Sequence, residues 1–173
     1  AAKLYHLTIL HTNNHHGHFM KFSPYANPDV GGMAARSTLV NSVRAEVEQA
    51  GGHVLLLSAG EVNIGTPESD LLKAEPDFKL MKMLGYDAMT LGNLDISSNP
   101  LEVLMQQREW AGFPFLAANV VEKTTGECLV EPYIIKEFDS LKVAILGLTV
   151  EGDDVVSKYS ENLESRNVIE IAK

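Results

Sequence analysis

Three short segments of the chain carry side chains of the kinds that bind metal ions or move protons. Five of the six histidines lie between positions 6 and 18, and the other two segments supply carboxylate and amide groups. Such groups are typical ligands of divalent cations. Two cations held about 3.5–4 Å apart polarise phosphoryl oxygens and generate hydroxide at neutral pH, which suits phosphate-ester hydrolysis. The residues are Asn14, His15 and His16, then Glu61 and Asn63, then Asn93 and Asp95.

A β-strand is predicted immediately before each of these segments. The three strands span residues 4–12, 53–59 and 86–91, and the loops after them span residues 13–30, 60–67 and 92–99. The middle of the second strand is entirely apolar, as is typical of a strand buried in a parallel sheet. Loops that follow parallel strands lie at one edge of the sheet, so a doubly wound sheet is expected to bring the three segments together.

Helices are predicted between these strands from apolar spacing and from residues that start and stop helices. They span residues 31–50, 77–84 and 100–110. Pro76 opens the second of them and Gly85 closes it. A fourth strand is predicted at 113–120, and residues 133–138 and 141–150 are expected to form an antiparallel hairpin. This order predicts an α/β layered fold in which helices pack on a mostly parallel sheet.

The composition is that of a globular protein with a sizeable core. The 173 residues are 45% hydrophobic and 21% charged, with a net charge of −9. The absence of a basic stripe argues against a nucleic-acid polymer as partner. No apolar run is long enough to span a bilayer, and no signal-peptide pattern opens the chain. The lone Cys128 cannot form an internal disulfide.

Several ordered motifs carry a resemblance that runs nearly from end to end of the chain. They lie at residues 11–19, 57–63, 65–70, 74–78, 85–93 and 115–119. Together they resemble the amino-terminal half of bacterial periplasmic 5′-nucleotidases of the UDP-sugar hydrolase type, which are calcineurin-like dinuclear metallophosphoesterases. The resemblance implies a metallophosphoesterase-type fold, two divalent ions (Zn, Mn, Co or Mg), a nucleotide or sugar-nucleotide substrate, and a periplasmic or cell-surface location.

The resemblance covers only about the first half of a catalytic domain. Residues 1–150 are expected to form that half, and residues 151–173 to be a polar tail or the start of the missing half. The remaining metal ligands of the family would lie beyond Lys173. The chain is therefore expected to be an incomplete domain, with an apolar sheet edge after the hairpin that is free to associate with another chain.

The resemblance assigns four metal-ligand positions. His16 matches a histidine of the first loop, and Asn93 matches an asparagine of the third. Asn14 stands where the family has aspartate, and Glu61 stands where the family has the aspartate that bridges both metals. The amide removes a negative charge that a dication needs, and the added methylene displaces a bridging oxygen.

Two further positions are assigned to catalysis. Leu94 occupies the position of a family histidine that stabilises the transition state, and Asp95 occupies that of a glutamate. Leucine cannot donate a hydrogen bond to a phosphoryl oxygen, and losing one such donor typically costs on the order of 10²–10³ in rate. The chain is therefore predicted to be impaired or inactive by itself.

Two hypotheses follow from these departures. In the first, the chain is a fragment or variant of a metal-dependent 5′-nucleotidase. In the second, it is a degenerate, non-catalytic phosphoesterase module that serves as a binding or scaffold domain. Metal-dependent release of phosphate from AMP favours the first, and weak metal uptake without turnover favours the second.

Overall fold

A four-stranded parallel sheet forms the centre of the molecule. The structure is a computed structural model that describes residues 4–24, 29–152, 155, 157 and 159–173. The strands stand in the order β1-β2-β3-β4. They are β1 (Leu7–Thr12), β2 (His53–Ser58), β3 (Ala88–Thr90) and β4 (Phe115–Leu116). Residues 25–28, within the loop predicted at 13–30, lie outside the described residues.

Helices connect the strands of this sheet. They are α1 (Gly32–Gln49), α2 (Pro67–Leu71), α3 (Glu75–Leu84), α4 (Asn93–Ser97) and α5 (Leu101–Ala111). Consecutive strands are parallel neighbours. Crossovers between parallel strands are almost always right-handed, so the connecting helices are expected on one face of the sheet. The apolar core between the sheet and these helices includes Leu56, Met89, Phe115, Phe78, Met81 and Leu104. The predicted α/β fold is confirmed, but the described sheet winds in one direction and is not doubly wound.

The hairpin lies across the opposite face of the sheet. Strands β6 (Tyr133–Phe138) and β7 (Leu141–Leu146) pair only with each other among the described residues. Lys136 forms an ion pair with Asp87 at 2.7 Å, and the ring of Phe138 stacks on His53 with centroids 4.9 Å apart. The predicted hairpin is therefore confirmed, although β7 ends at Leu146 and not at residue 150.

The chain beyond β4 departs from the prediction of one strand at 113–120. The parallel strand is only two residues long, and a separate strand β5 (Val120–Glu122) pairs antiparallel with β8 (Leu163–Ser165). A short helix α6 (Val168–Ile171) follows. Residues 153, 154, 156 and 158 of the predicted tail lie outside the described residues, and the division at residue 150 stays a prediction. Among the described residues, no helix is long and apolar enough to cross a membrane.

Candidate functional site

The three loops meet at a cleft beside the carboxyl ends of β1, β2 and β3. The cleft has a volume of about 470 Å³, and residues 148–150 after the hairpin also line it. Five of the six positions that the resemblance assigns line it: Asn14, His16, Glu61, Asn93 and Leu94. The sixth, Asp95, does not line the cleft but is buried next to it. The structure thus places residues from the loops after three separate strands around one cleft.

Backbone hydrogen bonds fix the first loop against the second. Asn14 donates its N–H to the carbonyl of Gly60 at 3.2 Å, and His16 donates to the carbonyl of Glu61 at 2.9 Å. Asn14, His16 and Glu61 all have positive φ, at 51°, 46° and 58°. Such conformations are unfavourable for residues other than glycine and are concentrated at functional sites. The local backbone is therefore held by the contacts between the loops.

His16 lines the cleft, and one of its ring nitrogens is bound within the loops. Its Nδ1 lies 2.9 Å from the carbonyl oxygen of Ile64, which can only accept, so Nδ1 carries the proton of the neutral ring. The lone pair then resides on Nε2. A hydrogen bond of this kind fixes the tautomer and orientation of a histidine that binds a metal or accepts a proton.

Asp95 binds the backbone of the second loop from the side that faces the protein interior. Its carboxylate accepts hydrogen bonds from the backbone N–H groups of Glu61 (2.8 Å), Val62 (3.0 Å), Asn63 (3.1 Å) and Gly92 (2.9 Å). Burial raises the pKa of Asp95, and these four N–H groups act in the opposite direction. All of these partners are donors, so the site is built for the charged carboxylate, which holds the loops and does not face the cleft.

Asn63 belongs to the same buried network and not to the cleft. It is 2% exposed, and its amide donates to Asp95 at 3.2 Å and accepts from Gln107 at 2.7 Å. Gln107 also donates to the carbonyl of Lys73. The expectation that Asn63 contributes to a metal site is therefore wrong, because both ends of its amide are used to join the second loop to α5.

His15 likewise points away from the cleft. Its Nε2 lies 2.8 Å from a carboxylate oxygen of Asp77, whose other oxygen accepts from the hydroxyl of Ser69 at 2.7 Å. All three side chains are buried. This network attaches the first loop to α2 and α3, and His15 acts there through packing and hydrogen bonding.

Among the residues that the structure describes, Glu61 is the one carboxylate on the wall of the cleft. Its Oε1 accepts the backbone N–H of Leu94 at 3.1 Å. Burial is the largest influence and raises the pKa of Glu61; the bond from Leu94 lowers it, the negative charge of Asp95 raises it, and His16 lowers it. The carboxylate is thus already bound to the third loop.

Thr149 is a cleft residue that sequence reasoning missed. It lies in the segment after β7, and the side chain of Asn119 bonds to both its N–H (2.9 Å) and its carbonyl (3.0 Å). The hydroxyl of Thr149 is buried and has no hydrogen-bond partner among the described residues. Asn119 lies in the recognised motif at 115–119, but nothing in the sequence links it to Thr149.

The side chains present do not fit a pair of divalent ions. Among the described residues, no group of three or more His, Cys, Asp or Glu side chains could hold a metal. The cleft offers one carboxylate, from Glu61, and one imidazole, from His16, together with the amides of Asn14 and Asn93. One negative charge does not balance two dications, and hard cations such as Mg²⁺ and Mn²⁺ prefer carboxylate oxygens.

Comparisons with known proteins agree with the fold and with the motifs. No family model matches the chain. A 5′-nucleotidase from Vibrio cholerae is 50% identical over 177 residues, covering 100% of this chain and 31% of the relative. The structure of a 5′-nucleotidase precursor from Thermus thermophilus matches with a TM-score of 0.81 at 28% identity, over 96% of this chain and 33% of that one. The calcineurin-like phosphoesterase YfkN from Bacillus subtilis matches with a TM-score of 0.75 at 24% identity, over 97% and 56%.

The fold is the one found in the calcineurin-like phosphoesterase YfkN. The predicted resemblance to the 5′-nucleotidase family is confirmed, because relatives of that family are about 50% identical over essentially the whole chain. The chain spans about 30% of the length of the curated relatives it matches, and it corresponds to the amino-terminal half of the family's catalytic domain.

Proposed function

We propose that this chain carries the amino-terminal half of a metal-dependent site for hydrolysing the phosphate esters of 5′-nucleotides or sugar nucleotides, and that this site is chemically weakened. One observation carries the proposal: three successive loops place Asn14, His16, Glu61, Asn93 and Leu94 on one cleft, with a single carboxylate among them. The family pair of divalent ions (Zn, Mn, Co or Mg) therefore requires ligands beyond those that the described residues supply. A periplasmic or cell-surface location is proposed from the same resemblance.

A second candidate function is nucleotide binding without catalysis. Both acidic groups of the site are already bound to backbone N–H groups, Glu61 to Leu94 and Asp95 to four donors. This leaves the imidazole of His16 and the amides of Asn14 and Asn93 to contact a ligand. Such groups recognise a phosphate or a base through hydrogen bonds without activating water.

The two functions are separated by measuring phosphate release from AMP in the presence of Mn²⁺, together with equilibrium binding of AMP. The Vibrio cholerae 5′-nucleotidase provides the reference. A weakened enzyme is expected to turn over, with a rate at least about 10²–10³-fold lower because Leu94 supplies no donor. AMP binding without any Mn²⁺-dependent release supports the binding module, and a rate equal to that of the relative contradicts both.

A further inference from the structure

The second and third loops of the site each contribute a carboxylate that accepts hydrogen bonds from the backbone of the other loop. Asp95, from the third loop, receives the N–H groups of the second loop at Glu61, Val62 and Asn63. Glu61, from the second loop, receives the N–H of the third loop at Leu94. Each of the two loops therefore supplies the anion that satisfies the other loop's backbone.

The side chain of Glu61 lies flat against Gly92. A Cβ added at Gly92 would lie 2.1 Å from Oε1, 2.7 Å from Cδ and 2.8 Å from Cγ of Glu61. Gly92 has an ordinary φ of −80°, so glycine is needed here for space and not for conformation. The backbone of Asn93 also stabilises the charged form of Glu61. The carboxylate therefore occupies a defined position over the start of α4.

We infer that Glu61 is a positioning residue that fastens the second loop to the third without metal, and that it does not serve as a bridging metal ligand. The family position holds aspartate, which is shorter by one methylene. The longer side chain of Glu61 places Oε1 3.1 Å from the backbone nitrogen of Leu94. Glu61 is only 9% exposed and its Oε1 is held by Leu94, which leaves Oε2 as the oxygen available to a cation.

This inference does not depend on the proposed function, because its readouts are thermal unfolding and cation binding. The whole chain is unfolded in EDTA to find the melting temperature, and Mn²⁺ binding is followed by the EPR signal of the free ion. Glu61→Ala leaves the N–H of Leu94 without a partner, and we expect the melting temperature in EDTA to fall by about 3–10 °C. Glu61→Gln keeps the acceptor oxygen and should melt within about 2 °C of the parent or above it.

Two further variants separate positioning from metal binding. Glu61→Asp retracts the carboxylate from Leu94 towards the cleft, so we expect a lower melting temperature in EDTA and Mn²⁺ binding at least about tenfold tighter than in the parent. Gly92→Ala pushes the intact Glu61 off the third loop, and it should also lower the melting temperature.

The inference is overturned if the parent binds Mn²⁺ as tightly as Glu61→Asp does and Glu61→Ala abolishes that binding. It is equally overturned if Glu61→Ala and Gly92→Ala both melt like the parent in EDTA. The expected pattern combines a lower melting temperature for Glu61→Ala with Mn²⁺ affinity gained in Glu61→Asp.

Discussion

At the scale of single residues, Asp95 is the clearest difference between the predicted and the observed site. The resemblance placed it among the catalytic positions, whereas its side chain is 1% exposed and bonds to four backbone N–H groups. A carboxylate held in this way can order the loops but cannot reach a substrate in the cleft. Its effect on chemistry is therefore expected to be indirect, through the placement of Glu61 and Gly92.

Asp95→Asn is expected to destabilise the fold strongly. The amide has a single acceptor oxygen, so its NH₂ group must face at least two N–H donors and leave them unsatisfied. We expect the free energy of unfolding in urea to fall by about 3 kcal/mol or more. Asp70→Asn is the matched control, because Asp70 is exposed and accepts only the N–H of Gly65 at 3.0 Å. The control should cost about 1 kcal/mol or less; equal losses in the two variants would contradict the account.

The candidate site could be predicted from the sequence as far as its loops. Asn14, His16, Glu61 and Asn93 follow recognisable strands, and parallel strands deliver such residues to one edge. The direction in which each side chain points could not be predicted from the sequence. Asn63 and His15 follow the same strands as the cleft residues, yet both side chains point into the protein interior. The bonds of Asn63 to Gln107 and of His15 to Asp77 decide this, and these partners are 44 and 62 positions away.

At the scale of elements, periodicity predicted the long helices and missed the short ones. Helices α1, α3 and α5 were predicted to within a few residues of their observed bounds. Helices α2 and α4 lie in stretches where no helix was predicted. Five residues are too few to form a stable helix from local preference. Tertiary and capping contacts hold them, such as the hydrogen bond from the N–H of Ser69 to the Thr66 side chain at 3.4 Å.

The buried pair of His15 and Asp77 is expected to couple the first loop to α3. A double-mutant cycle with His15→Ala and Asp77→Ala should give a coupling free energy of about 1–3 kcal/mol in urea unfolding, since the two groups share a dry hydrogen bond. His53 and Asp139 form the matched control pair, at 3.7 Å and with 71% of the Asp139 side chain exposed. Their coupling should be under about 1 kcal/mol. A buried pair that couples no more than this surface pair would refute the proposed attachment.

At the scale of the whole molecule, apolar side chains remain exposed on the outer side of the hairpin. Tyr133 and Ile135 are each 54% exposed, and Leu146 is 42% exposed. They alternate with residues that face the sheet, so they form a continuous surface of β6 and β7. Contiguous exposed apolar surface of this kind marks an interaction surface or a tendency to associate.

We expect the isolated chain to self-associate through this surface. Sedimentation velocity should show a weight-average mass that rises with protein concentration. The pair Ile135→Thr and Leu146→Thr should restore the monomer because it removes apolar area and keeps β-strand preference. The matched control is Leu39→Thr, at an exposed position on α1. A parent chain that stays monomeric at every concentration would contradict this expectation.

The most direct test of the account asks whether three loop positions alone explain the weakened site. In a chimera, these 173 residues replace the matching segment of the Vibrio cholerae 5′-nucleotidase. The remainder of that protein supplies the part of the enzyme that this chain does not cover. Mn²⁺-dependent phosphate release from AMP is then compared between this chimera and the same protein carrying Asn14→Asp, Glu61→Asp and Leu94→His. We expect a gain in kcat/KM of at least about 10²–10³-fold in the triple variant. Equal rates in the two chimeras, with both folded and binding AMP, would contradict it.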